Sequence, residues 1–247
     1  MRLERFGDVA LFTLQSGKVN AIGPDFLDRF HQLLDEAPDA RAALITGTGS
    51  SFSAGLDLPS LVDLDRKTMR GFIDRFDALM LRLFELPVPA VAAVNGHAIA
   101  GGCVLALQCD LRLAADRDAR IGLNETQLGI GLPAVVLETL RGQVPASSLA
   151  PLALEGRLFS PRESLQLGLV HELVPEGQLL GRAMERAQAL ALLPPDGVRQ
   201  VKASLRRPAA EAVRAHDSAE AERWLDGWFS PETQARLRAA VAKLKSR

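Results

Sequence analysis

The chain of 247 residues holds only two cysteines, Cys103 and Cys109, and both stand in one apolar run. A disulfide framework is excluded, and two buried free thiols are expected instead. Charge of one sign is also missing: 29 Lys and Arg against 30 Asp and Glu leave a formal net charge of −1. Nothing global draws the chain toward nucleic acid or a membrane surface. No basic stretch followed by an apolar one opens the sequence, and no apolar run is long enough to span a bilayer. The closing KLKSR carries no prenylation or peroxisomal pattern, so a cytoplasmic protein is expected.

Several chemistries lack their motifs. There is no GKS or GKT, hence no phosphate-cradling loop of the Walker type. HExxH and CxxC are absent, and His31, His97, His171 and His216 are dispersed, so no dedicated metal site is expected. GTGSSF at 47–52 starts like a dinucleotide fingerprint, but Phe52 replaces the third glycine and no helix clearly begins there. Ser53 in FSAG has Ser51 where a nucleophile elbow needs glycine.

What is present is an ordinary globular composition, 47% apolar and 24% charged, enough for one large domain or a domain plus an appendage. The opening MRLERFGDVALFTL reads directly as a strand, and the strand runs along the chain are 8–15, 41–49, 89–96 and 111–115. Helical spacing marks 25–34 and 61–85, so the layering is α/β. After residue 130 helices dominate. SPRES is a capping box with Ser160 as N-cap, Pro161 at the first helical position and Glu163 at the third. A short strand follows at 170–174, then a helix ending at Pro194-Pro195. That pair is the expected boundary between a core, 1–194, and a C-terminal helical region, 195–247. Residues 199–247 hold eleven Lys/Arg and six Asp/Glu. They form either a solvated helical face or a set of contacts to a phosphate-bearing ligand. Trp224, Trp228 and Phe229 are anchors for another subunit or for the core itself. No internal repeat is visible.

Three segments share one physical logic. AIAGGCVLALQCD (98–110) has a glycine pair at the mouth of a helix, where the dipole favours negative charge. FSAGLDL (52–58) offers a tight turn with a free backbone N–H; its bland alternative is a surface turn capped by Asp57. IGLNETQLGIGLP carries one acid, Glu125, whose bland alternative is a surface glutamate. Two N–H groups converging on one point make an oxyanion hole. With one carboxylate nearby, the set suits proton transfer beside a carbonyl, through an enolate.

These segments, in this order, resemble the crotonase (enoyl-CoA hydratase/isomerase) superfamily from about residue 8 onward. IGLNETQLGI is most similar to its Δ3,Δ2-enoyl-CoA isomerases. The resemblance implies a spiral of ββα units with a C-terminal helical trimerisation region. It implies an acyl-CoA thioester as ligand, a homotrimer or dimer of trimers, and no cofactor beyond the coenzyme A of the substrate. The N–H groups of Leu56 and Gly101 are implied as the oxyanion hole and Glu125 as the catalytic acid–base. Lys18, Val19, Ala21, Ser53, Ala54, Gly55, Asp57, Leu58, Gly102 and Val104 are implied to line the substrate path, with residues 59–70 as a loop bordering the acyl pocket. Hydratases of the superfamily usually carry a second glutamate three residues after the oxyanion glycine. Here Val104 stands there, which favours an isomerase acting in fatty-acid β-oxidation. The alternatives are hydration, another one-glutamate chemistry, or a non-catalytic acyl-CoA binder. No acid near Pro133 matches the dienoyl-CoA isomerases, and no Asp nucleophile for a dehalogenase can be placed. Burial of Glu125 among apolar neighbours is expected to raise its pKa toward neutrality.

Overall fold

The computed structural model describes residues 1–216 and 218–245; Asp217, Ser246 and Arg247, the last two in the tail read for targeting signals, lie outside the described residues. The chain begins with a hairpin, β1 (Arg2–Phe6) and β2 (Val9–Leu14), paired antiparallel. The opening stretch is thus two strands: Gly7, at φ 60°, allows the turn that an apolar count passes over. Helix α1 (Pro24–Asp35) then buries Phe26, Leu27, Phe30, Leu33 and Leu34 along one face. Each such side chain stabilises the fold by about 1.5–3 kcal/mol on full burial.

Three strand–strand–helix turns follow. The first is β3 (Ala42–Gly47), β4 (Ser51–Ser53), α2 (Leu58–Leu61) and α3 (Arg66–Phe84). The second is β5 (Ala90–Val94), β6 (His97–Ile99) and α4 (Gly101–Leu107). The third is β7 (Leu111–Asp116), β8 (Ile121–Gly122) and α5 (Glu125–Leu128). Each turn adds one strand to each of two sheets. The large sheet runs β1-β2-β3-β5-β7 and ends on β9 (Glu172–Pro175), parallel except for the first pair; the small one is β4-β6-β8. This is the spiral of ββα units that the resemblance implies. The repeat has no counterpart in sequence because the helices closing the turns differ so much: 19 residues in α3, 7 in α4 and 4 in α5.

Residues 97–99 are strand, and the helix of the 98–110 run begins at Gly101, with the glycine pair at its mouth as expected. One other expectation is corrected. The segment 59–70 is largely helical, made of the end of α2 and the start of α3, whose N-cap Asp65 accepts from Thr68 N at 2.8 Å.

Beyond the spiral lie α6 (Ala134–Gln143), α7 (Leu149–Ala153) and α8 (Pro161–Gln166). The predicted capping box at Ser160 and Glu163 is present. Helix α9 (Leu179–Ala191) lays Leu179, Ala183, Ala187 and Ala191 on the large sheet, its small side chains permitting close approach. Helices α10 (Pro195–Ala215), α11 (Ser218–Trp228) and α12 (Pro231–Lys245) complete the chain.

Several basic residues of this last region turn inward or pair. Lys202 and Arg206 each reach Asp110 at 2.6 Å, and Arg206 also lies over the Phe84 ring at 4.1 Å. Burial opposes the Asp110 charge, but the two cations hold its carboxyl below the usual range. Arg199, Arg214, Arg236 and Arg238 pair with Asp196, Glu85, Glu232 and Asp63. Trp224 and Trp228 stack on each other and are buried, so these anchors dock on the chain's own core. Among the described residues no helix is long and apolar enough to cross a membrane.

Candidate active site

The turn after β4 is shaped by what surrounds it. Asn20, at φ 54°, donates its side-chain amide to Thr48 O and Ser51 O. Ser53 Oγ donates to Asn20 O at 2.7 Å and accepts from Gly55 N at 3.2 Å. Ile22 N donates to Gly55 O and Ile22 O accepts from Asp57 N, so Ile22 clamps the turn from one side. In such a parallel bridge the N–H of the intervening residue faces the other way. Among the described residues, the Leu56 N–H donates to no protein acceptor. On the side it faces stands the start of α4. A Cβ on Gly55 would fall 2.7 Å from Ile99 O and 3.1 Å from Gly101 N, so glycine, at φ 87°, is required here.

Gly101 is the first residue of α4, and its N–H belongs to the set a helix cannot satisfy internally. Ala100 before it has φ 50°, a conformation that costs a non-glycine residue on the order of 1–3 kcal/mol. It is held there because Ala100 N donates to Gly122 O at 2.8 Å and Ala100 O accepts from Val104 N at 2.9 Å. Gly102 has a packing role: a Cβ there would meet Ser53 O at 2.1 Å.

Glu125 opens α5 and Asn124 precedes it. Glu125 is half-buried as a residue, but its Oε2 is sealed from solvent and has no hydrogen-bond partner. Burial pushes its pKa up to about 7, while the backbone N–H groups of Glu125 and Asn124 pull more weakly the other way. A carboxyl titrating near neutrality is suited to taking and returning a proton.

Ala54, Leu56, Leu58, Gly101, Val104 and Glu125 line one cavity of about 100 Å³. The other residues of the expected substrate path lie outside its lining. Lys18 and Val19 are exposed, with Val19 O accepting from Ala54 N, and Ala21 O accepts from Ser16 Oγ. Ser53, Gly55 and Gly102 are buried in the scaffold beneath, and Asp57 is the N-cap residue of α2.

The cavity also contains residues that sequence reasoning missed. Ile73 and Phe76 enter from α3, and Ile99, Leu128, Ile130 and Val136 add apolar surface. Asn124 points a buried, unpartnered Oδ1 from its lining. Trp224 comes from α11 and donates Nε1 to Gly131 O at 2.8 Å. The aromatic cluster in an otherwise polar terminal segment was the one signal that pointed to it. The two thiols take no part: burial raises Cys103 and Cys109 to about 12 and both are free. Among the described residues no group of three or more His, Cys, Asp or Glu is placed to hold a metal ion.

The profile of the enoyl-CoA hydratase/isomerase family matches residues 4–235. The chain belongs to that family. It is 32% identical to the human protein named enoyl-CoA delta isomerase 1, mitochondrial, over 96% of this chain and 80% of that one. It is 31% identical to the short-chain-enoyl-CoA hydratase of Clostridium acetobutylicum, over 83% of this chain and 80% of that one. The crystal structure of human mitochondrial Δ3,Δ2-enoyl-CoA isomerase superposes with a TM-score of 0.94 at 30% identity, covering 99% of this chain and 98% of that one. Isomerases and hydratases thus both stand among its relatives.

Proposed function

We propose that the protein is a Δ3,Δ2-enoyl-CoA isomerase, moving the double bond of a 3-enoyl-CoA thioester to the 2-position. The observation that carries the reading is the pairing of one buried carboxyl, Glu125, with an apolar Val104 in a cavity where the Leu56 and Gly101 N–H groups are uncommitted. The thioester oxygen accepts from those two N–H groups. Glu125 takes a proton from C2, the negative charge spreads over the dienolate and is held at the oxygen, and Glu125 returns the proton at C4. The raised pKa serves both halves of this shuttle. Hydration needs a water held and deprotonated, and Val104 presents no oxygen for that task.

The remainder of the substrate path belongs to the same proposal. Lys18, Val19, Ala21 and the 53–58 turn border the route of the pantetheine and adenine, and coenzyme A enters as part of the substrate, with no other cofactor. The protein works in fatty-acid β-oxidation as a homotrimer or dimer of trimers. Leu192 and Leu193, Val201 and Leu205 are exposed apolar side chains near the start of the C-terminal region, which supports assembly. Light scattering on the purified protein measures it.

The deciding experiment is a paired assay. One arm supplies 3-hexenoyl-CoA and follows the 2-enoyl product; the other supplies 2-hexenoyl-CoA and follows the 3-hydroxy product. Isomerisation without hydration, abolished by Glu125→Gln, is expected. Efficient hydration would overturn the use made of Val104 and leave an enoyl-CoA hydratase as the reading.

A further inference from the structure

A second buried carboxyl lies close to the first cavity and takes no part in the proton shuttle. Asp77 stands on α3, one helical turn beyond Ile73 and next to Phe76, the two α3 residues that line the cavity of Glu125. It faces a separate and larger cavity of about 580 Å³. The two cavities have Ile73, Gly131, Pro133 and Trp224 in common, so they are neighbours across one wall.

Asp77 Oδ1 is sealed from solvent and has no hydrogen-bond partner. Burial, reinforced by the nearby Asp74, pushes its pKa up to about 7, and Arg70 offsets this only in part. Arg70 is committed elsewhere, to Asp74 at 2.9 Å and Glu222 at 3.0 Å. Buried polar atoms of this kind are few in native proteins, and a ligand is one way to complete them.

The space fits an acyl tail. A cavity of about 100 Å³ holds only the reacting end of a chain, and the larger cavity across the shared residues offers room for the rest. There, Leu132, Leu137 and Val213 supply apolar surface. Arg214 and Arg223 line the same space as Asp74 and Asp77. A tail carrying either charge therefore meets its own sign there, and desolvating it is costly. A hydroxyl is neutral and both donates and accepts, so it satisfies a carboxyl in either protonation state.

We propose that the larger cavity is a distal acyl subsite in which Asp77 hydrogen-bonds a hydroxyl on the far part of the chain, making hydroxylated acyl-CoA thioesters the preferred ligands. This rests on the acyl-CoA reading of the first cavity. The test is calorimetric binding of saturated thioesters, which undergo no isomerisation: dodecanoyl-CoA against its 8-, 10- and 12-hydroxy derivatives. At least one hydroxylated chain is expected to bind the wild-type protein about 5- to 10-fold more tightly than the plain chain, the scale of one net hydrogen bond. Asp77→Leu removes the preference, and Asp77→Asn, which keeps an accepting oxygen, retains part of it. Equal binding of all four chains, or a preference that survives Asp77→Leu, overturns the subsite. Failure of every thioester to bind overturns the acyl-CoA reading beneath it. A melting curve accompanies each variant, and if Asp77→Leu does not fold, the wild-type and Asp77→Asn series decide.

Discussion

The floor and the roof of the small cavity are built by opposite means. The floor is backbone: the Leu56 and Gly101 N–H groups, set by Gly55, by Ala100 at φ 50° and by Gly102 packed on Ser53. All of it belongs to the first two turns of the spiral. The roof is a side chain, Glu125, on a helix of four residues that is held from outside. Trp224 Nε1 donates to Gly131 O, Thr233 Oγ1 to Gly129 O and Arg236 to Gln127 O, so α11 and α12 fasten the segment carrying the carboxyl. The floor is fixed by steric exclusion at short range. The roof is fixed by a few polar contacts formed with residues about a hundred positions later in the chain.

Glu125→Gln separates the two most sharply. It removes the base and leaves the floor intact, and 3-enoyl-CoA turnover is expected to fall by ~10²–10⁴-fold while thioester binding persists. A kcat and KM measurement checks it; unchanged kcat would dismiss Glu125 as the base. Breaking the floor comes next. Gly55→Ala forces a Cβ against Ile99 O and the Gly101 amide, and a loss of about 10²–10³-fold in kcat is expected, the scale of one oxyanion donor.

The raised pKa gives a third test, read in stability. The folded-state value of about 7 lies above the unfolded 4.5. Between them the native state holds a proton that the unfolded chain has released. The contribution of Glu125 is complete below about pH 4.5 and is lost as pH rises through about 7. Glu125→Gln therefore gains stability relative to wild type as pH rises from 4.5 to 8, on the order of 2–3 kcal/mol. Urea melts at the two pH values measure the difference, and a difference independent of pH would contradict the burial of the charge. In parallel, kcat/KM of the wild-type protein should climb with pH to a plateau above about 7 as the base ionises. The smallest effect belongs to the fastening of the roof. Trp224→Phe keeps a ring but loses the bond to Gly131 O, costing about 1 kcal/mol and a few-fold in turnover. Chemical denaturation alongside the activity assay reads both numbers.

Much of this arrangement was legible in the sequence. The inner strands β2, β3 and β5 of the large sheet are mostly apolar and buried because both faces are covered, and α1 shows its buried face in the spacing of Phe26, Phe30 and Leu33. Ser160 and Glu163 announce α8 by local chemistry alone. The small sheet was hidden, because strands of two or three residues are too short to show alternation. The N-terminal hairpin was hidden because one glycine carries its turn. For the site, a tight Ala-Gly turn, one glycine pair and a lone acid marked the three segments that meet. The contributions of Asn124 and Asp77 were not marked, and Trp224 was marked only as an aromatic anchor, since their role depends on which residues the spiral brings opposite them, and no local pattern records that.

The oxyanion floor has one further consequence. No side chain encodes it, so a scan that trims side chains one by one passes over its central residue: Leu56→Ala keeps the same N–H in the same place. What reveals it is the reverse scan, which finds positions where adding a single carbon is intolerable. Intolerance of enlargement at Gly55 and Gly102, set against tolerance of truncation at Leu56, is thus the mutational fingerprint by which this device is read.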